Sequence, residues 1–231
     1  MKKLLLLLLA IAATADAQQP AATTQPRPAR KPDTSLAKIA DEPGLPRVLL
    51  IGDSISMGYT LPTRELLKGK ANLHRIPRNG GSTKDGLQYI DGWLAEGKWD
   101  VIHFNWGLHD LKHWKDGKLD PAGPHVSTLE EYGKNLRELV KKMKATGAKL
   151  IWATTTPVPE ESAGRVHADE LKYNDVAAQV MKDEGIPTDD LHELCVNNSG
   201  WQLPKNVHFS PEGYAGLAAK VAADIGAALK K

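Results

Sequence analysis

Short apolar runs that stop at a glycine or polar residue, each followed by a helical pattern, recur through most of this chain. "RVLLIG" from Arg47, "DVIHFNWG" from Asp100 and "KLIWATTTP" from Lys149 are the clearest. "NLHRIP" and "GIPTDD" are weaker examples of the same signal. Runs of this length bounded by turn residues predict buried strands. Strands that alternate with helices predict βαβ units, right-handed crossovers and a mainly parallel sheet covered on both faces. The fold class is therefore α/β. With 231 residues and 41% hydrophobic content, the chain can build one sizeable core.

The helical patterns between the strands have legible ends. Ser127 and Glu130 form an S-x-x-E capping signature, and Leu129, Tyr132, Leu136, Leu139, Val140 and Met143 follow on one face before Gly147. Further helices are predicted over about 84–96, 168–184 and 211–229. Pro211 suits a first turn, with Ser210 as its cap.

The N-terminus has a different composition. Lys2 and Lys3 precede an apolar run from Leu4 to Ala13, and Ala15-Asp16-Ala17 supplies small residues for cleavage after Ala17. Residues 1–17 thus read as an export signal, with a secreted or periplasmic destination, and the run is too short to span a bilayer. Residues 18–46 are rich in Pro, Ala and Thr and read as a linker, leaving residues 47–231 as the folded domain. The formal charge of +2, with both signs interspersed, gives no basic stripe and argues against a nucleic-acid partner. Cys195 is the only cysteine, so no internal disulfide forms, and it reads as a buried filler.

In parallel α/β sheets, ligands lie beyond the carboxyl ends of the strands. Gly52-Asp53-Ser54 follows the first strand, which leaves Ser54 either as a cap for the next helix or as a nucleophile lifted out of the core. "RNGGSTKDGL" from Arg78 follows the second strand, "NWGLHDL" from Asn105 follows the third, and "KNVHFSPEGY" from Lys205 precedes the last helix.

This series of blocks resembles the GDSL, or SGNH, hydrolase family. The resemblance runs from Arg47 to Leu229 and implies a flavodoxin-like three-layer α/β/α sandwich. It makes Ser54 the nucleophile and His208 the general base, since a serine hydroxyl needs a base beside it. It also implies an oxyanion hole from the N–H groups of Ser54 and Gly80, with Gly81 as the alternative, completed by an asparagine of the third block. Two departures stand out. The third block reads Gly107-Leu108-His109-Asp110, so histidine replaces the family's asparagine, and a neutral imidazole still keeps one N–H to donate. The family's D-x-x-H places an acid where this chain has Lys205. The imidazole is then held by a backbone carbonyl or by a group from elsewhere, with Asn206, Asp110, Glu193 and Glu212 as candidates. Asp53 and Gly107 are possible supporting residues.

A rival chemistry is visible in His109-Asp110-Leu111-Lys112-His113, which is close to the H-E-x-x-H zinc motif. On that reading His109 and His113 hold a metal and Asp110 is the base, although no third ligand is evident. His74, His103 and His125 read as surface or packing residues. Trp106, Trp114 and Trp201 are either sugar platforms or core. Tyr173-Asn174 reads as packing, and Thr154-Thr155-Thr156 as either pocket lining or a turn. The expectation is a secreted serine esterase that removes small acyl groups, acetyl first, from glycan or other small-molecule esters. No cofactor is implied. A non-catalytic carbohydrate-binding protein on the same fold is the second reading, supported by the two departures.

Overall fold

The computed structural model describes residues 34–230. Five parallel strands form the central sheet: β1 (Arg47–Ile51), β2 (Asn72–Arg75), β3 (Val101–Phe104), β6 (Lys149–Ala153) and β7 (Thr188–Asp189). Their order is β2-β1-β3-β6-β7, the flavodoxin arrangement, and it reverses between β1 and β3. All four residues of β3 are buried, as are the last four of β1, because both sheet faces are covered. On one side α1 (Ser54–Leu66) packs against α6 (Pro211–Lys230). A second helical layer joins α2 (Thr83–Leu94), α3 (Leu129–Lys144) and α4 (Glu170–Glu184). The short helix α5 (Leu191–Asn197) and the hairpin of β4 (Trp114–Lys115) and β5 (Lys118–Leu119) complete the chain. The three-layer α/β/α sandwich is the expected class.

Close approaches explain several glycines. A Cβ on Gly58 of α1 would lie 2.1 Å from the Tyr214 ring of α6, so glycine sets the distance between these helices. A Cβ on Gly86 would lie 2.8 Å from the indole of Trp106. One charged group is fully buried in the sheet: His103 Nε2 lies 2.9 Å from Asp189 Oδ2, and Lys220 Nζ lies 3.0 Å from Asp189 Oδ1. His103 is thus a packing histidine with a paired carboxylate.

Two expectations need correction. The α3 cap is Thr128 rather than Ser127, with Glu131 completing the capping box, and the shift of one residue leaves Leu129 exposed. Residues 34–46 are part of the folded domain, so the boundary at Arg47 is too late. Asn72 bonds Glu42 in both directions, Arg64 Nη2 donates to the Ala37 carbonyl, and Ser35 is buried. Low hydrophobicity hid this segment, because it is held by polar bonds rather than by an apolar face. Tyr173-Asn174 packs as expected, and the turn after β6 is held in place: Thr154 Oγ1 accepts from His192 N, and Asn174 bonds Thr155 in both directions. The export signal and the first part of the linker lie outside the described residues. Among the described residues, no helix is long and apolar enough to cross a membrane.

Candidate active site

The turn after β1 is built to expose one hydroxyl. Asp53, buried, caps α1 by accepting from the Ile55 N–H at 2.9 Å. Ser54 is therefore the first helical residue, and the capping role falls to its neighbour. Its N–H belongs to the helix's first turn and has no helical acceptor. Beneath the turn lies Arg75, whose Nη2 donates to the Gly52 carbonyl at 2.8 Å, the Asp53 carbonyl at 2.9 Å and Ser56 Oγ at 2.7 Å. This buried guanidinium clamps the segment that carries Ser54. A charged residue at the end of the apolar run "NLHR" was the available signal for it.

Ser54 Oγ lies 2.9 Å from His208 Nε2, although 154 residues separate them. The opposite ring nitrogen, Nδ1, lies 2.7 Å from Asn206 Oδ1. The same oxygen accepts the His208 main-chain N–H at 3.1 Å, which fixes the amide orientation because a peptide N–H can only donate. Two backbone bonds hold this loop against the short turn before α6: Leu203 N donates to His208 O, and Ser210 N to Trp201 O. Lys205 turns through φ +56° and points outward, pairing with Glu161 at 2.6 Å. Glu193 and Glu212 are exposed, and neither forms an ion pair with His208. Asn206 is thus the polar side chain that holds the imidazole.

The second block differs from its expected use. Gly80 donates its N–H to the Gly52 carbonyl at 2.9 Å, and a Cβ there would crowd the same oxygen at 2.8 Å. The Gly81 N–H donates to Asn79 Oδ1 at 2.9 Å. Neither glycine N–H is free for a ligand: Gly80 serves a close backbone approach to Gly52 after β1, and Gly81 turns at φ +62° against the Asp85 side chain. Asn79 and His109 line the cavity beside Ser54. Lys112 Nζ lies 3.1 Å from His109 Nδ1. An ammonium can only donate, so the neutral His109 carries its proton on Nε2. Burial holds the His109 pKa below the ordinary value, which favours the neutral ring. The asparagine of this block, Asn105, donates to the Ala153 carbonyl at 2.8 Å and joins β3 to β6.

Asp110 faces α2 instead of His208. It accepts from the Thr83 N–H at 3.0 Å and from Thr83 Oγ1 at 2.6 Å, and its burial pushes its pKa up to about 6. Gly107 turns at φ +154°, where a Cβ would collide with Thr155 Oγ1. The zinc reading of His109 and His113 does not match the structure. Residues 108–111 form a turn rather than a helix, so the two imidazoles do not share a helical face. His109 lines the Ser54 cavity, whereas His113 packs against His125 with ring centroids 4.0 Å apart and planes tilted by 45°. His125 Nε2 lies 2.7 Å from Asp169 Oδ2, and Lys172 pairs with the other carboxylate oxygen. Trp106 is buried and donates to the Gly80 carbonyl, and Trp201 packs over Gly213 and Gly216 of α6. Trp114 alone of the three is exposed, on β4 opposite Leu119, which lines the cavity rim.

The cavity has a volume of about 390 Å³. Two cations that sequence reasoning did not single out, Lys112 and Arg165, also line it. Burial lowers the His208 pKa. The nearby Asp53 charge opposes this, and the Arg165 and Lys112 charges add to it. A neutral imidazole beside a serine hydroxyl is the arrangement a general base requires.

Solved structures share this architecture. An acetyl xylan esterase is 17% identical, covering 78% of this chain and 99% of its own, with a TM-score of 0.65. A lipase/acylhydrolase from Enterococcus faecalis is 19% identical, covering 79% and 96%, with a TM-score of 0.66. An acetylxylan esterase from Geobacillus stearothermophilus is 22% identical, covering 78% and 94%, with a TM-score of 0.63. At these identities the likeness concerns the fold. No curated protein matches the sequence. The model of the GDSL-like lipase/acylhydrolase family matches residues 50–215, from within β1 to the first turns of α6, and the chain belongs to that family.

Proposed function

We propose that this protein is a secreted serine ester hydrolase that removes small acyl groups, acetyl first, from carbohydrate esters. The observation that carries the reading is the Ser54–His208–Asn206 line, with 2.9 Å and 2.7 Å between successive partners. His208 takes the Ser54 proton on Nε2 as Ser54 Oγ attacks the ester carbonyl. The resulting oxyanion is met by the Ser54 N–H, the His109 Nε2–H and the Asn79 side-chain amide. Collapse expels the alcohol, which His208 protonates, and water then releases the acid by the same path in reverse.

Asn206 fixes the tautomer, because its oxygen accepts from Nδ1 and leaves Nε2 open toward Ser54. It brings no charge, so the imidazolium formed in the transition state relies on the buried Asp53 carboxylate for electrostatic support. The small cavity and the exposed Trp114 support a compact acyl group on a sugar, as does the shared fold with two acetyl xylan esterases. Export follows from the signal read in residues 1–17. The test is acetate release from acetylated xylan and from para-nitrophenyl acetate by wild type and Ser54→Ala. Release that vanishes in the variant supports the reading. Equal background from both proteins, with glycan binding intact, favours the binding protein instead.

A further inference from the structure

Lys112 and Arg165 give the cavity a charge that ester hydrolysis alone does not need. Both are half-buried beside Ser54 and His208. Arg165 arrives from the loop between β6 and α4, and its Nε donates to the Leu108 carbonyl at 2.9 Å and its Nη1 to the Ala163 carbonyl at 3.3 Å. Lys112 contacts His109 Nδ1. Among the described residues, neither cation forms an ion pair. At the cavity rim, by contrast, Lys205 pairs with Glu161. Asp53 is the acid whose field reaches both, but its carboxylate caps α1.

Two cations drawn partly out of water with no carboxylate in direct contact are costly to hold and repel each other. Burial and this mutual repulsion lower the Lys112 pKa, and burial lowers that of Arg165. The arrangement is relieved when an anion arrives with the ligand. A guanidinium with free N–H groups beside an ammonium suits the planar, two-oxygen geometry of a carboxylate.

We propose that Lys112 and Arg165 form a subsite for a carboxylate carried by the ester substrate, placed beside the bond that Ser54 attacks. The preferred substrate is then an acylated sugar acid or an ester whose acyl group bears its own carboxylate. This rests on the reading of Ser54 as nucleophile and narrows its substrate class.

The test compares matched pairs that differ in charge. Acetate release is measured from acetylated galacturonate oligomers and from the same oligomers with their carboxylates methyl-esterified. Hydrolysis of para-nitrophenyl hydrogen succinate is compared with that of para-nitrophenyl acetate. The charged member of one pair is expected to be favoured by about 10-fold to 100-fold in kcat/KM, the range for a charge-assisted contact. The pair that shows it tells whether the charge sits on the sugar or on the acyl group. Arg165→Gln and Lys112→Met are expected to remove the preference, and Arg165→Lys to restore part of it. No preference in either pair overturns the proposal. So do variants that slow charged and neutral members equally, since the cations would then act on the oxyanion.

Calorimetric binding of a galacturonate dimer and of succinate to Ser54→Ala reads the subsite without turnover. Binding that weakens with salt and is lost in Ser54→Ala/Arg165→Gln supports the subsite even where the wild type releases no acid, in which case the serine reading alone has failed. Binding of neither anion overturns the subsite.

Discussion

Asn206 Oδ1 sits 2.7 Å from His208 Nδ1 and accepts from the main-chain N–H of the same histidine. An amide thus occupies the place where the triad logic asks for a carboxylate. It can orient the ring, but it supplies no charge. Asn206→Ala is expected to lower kcat/KM for para-nitrophenyl acetate by about 10-fold, the loss of one orienting hydrogen bond. Asn206→Asp is expected to raise it, since a carboxylate at the same spot stabilises the imidazolium. A rate for Asn206→Asp below that of wild type would show that the amide itself is required.

The pH profile has a definite sign. His208 must be neutral to accept the serine proton, and burial holds its pKa below the ordinary 6.5. Activity is expected to rise with pH through an inflection below that value and to be fully present at neutral pH. Asn206→Asp should move the inflection upward, because a nearby negative charge favours the protonated ring. The measurement is kcat/KM against pH for both proteins, with an ester that does not itself titrate in the range.

In the proposed mechanism His109 and Asn79 stand in for the donors that the family pattern implies. Removing one oxyanion donor costs about 100-fold to 1000-fold in kcat where the donor is well aimed. His109→Ala is expected to fall in that range with KM little changed, and Asn79→Ala to show a smaller loss. An unchanged kcat in His109→Ala would remove this residue from the proposed oxyanion hole.

Asp110 makes stability depend on acidity. Its folded pKa of about 6 lies above the ordinary 3.8, so between these values the folded state binds more protons than the unfolded state. The contribution of this group is therefore fully present below the lower value and lost as pH rises through the upper one. Asp110→Asn should flatten that part of the stability profile, measured by urea denaturation across the same pH range. Wild type and variant running parallel there would refute it.

Gly58 carries a packing prediction. Alanine improves helix propensity by about 1 kcal/mol. Here its methyl would enter the Tyr214 ring, so Gly58→Ala is expected to destabilise by about 1–3 kcal/mol. Urea denaturation gives the sign directly, and a stabilised variant would mean that α1 and α6 separate at little cost.

The sheet and helices were legible because apolar runs, capping residues and Pro211 each state a local preference. The pair Ser54 and His208 was legible as strand-end and pre-helix residues, and the structure brings them together. The acid position was harder to place. The offset between an acid and its histidine depends on a turn, and the left-handed Lys205 puts Asn206 rather than residue 205 against the ring. The glycines of the second block misled because glycine marks close approach as well as exposed N–H groups, and Gly80 is needed by the Gly52 carbonyl. Arg75 left a faint sign as a charge at the end of the second strand, whereas Lys112 and Arg165 were not legible as site residues, since a single cation in a loop carries no sign of where its charge is placed.

The proposed mechanism requires Ser54 to become acylated during turnover. The most direct measurement is peptide mapping by mass spectrometry of protein quenched in acid during hydrolysis of para-nitrophenyl acetate, with His208→Ala alongside. An acetyl group is expected on the Ser54 peptide of the wild type and none on that of His208→Ala. Turnover with no acyl group on Ser54, or acetylation confined to other residues, would contradict the mechanism.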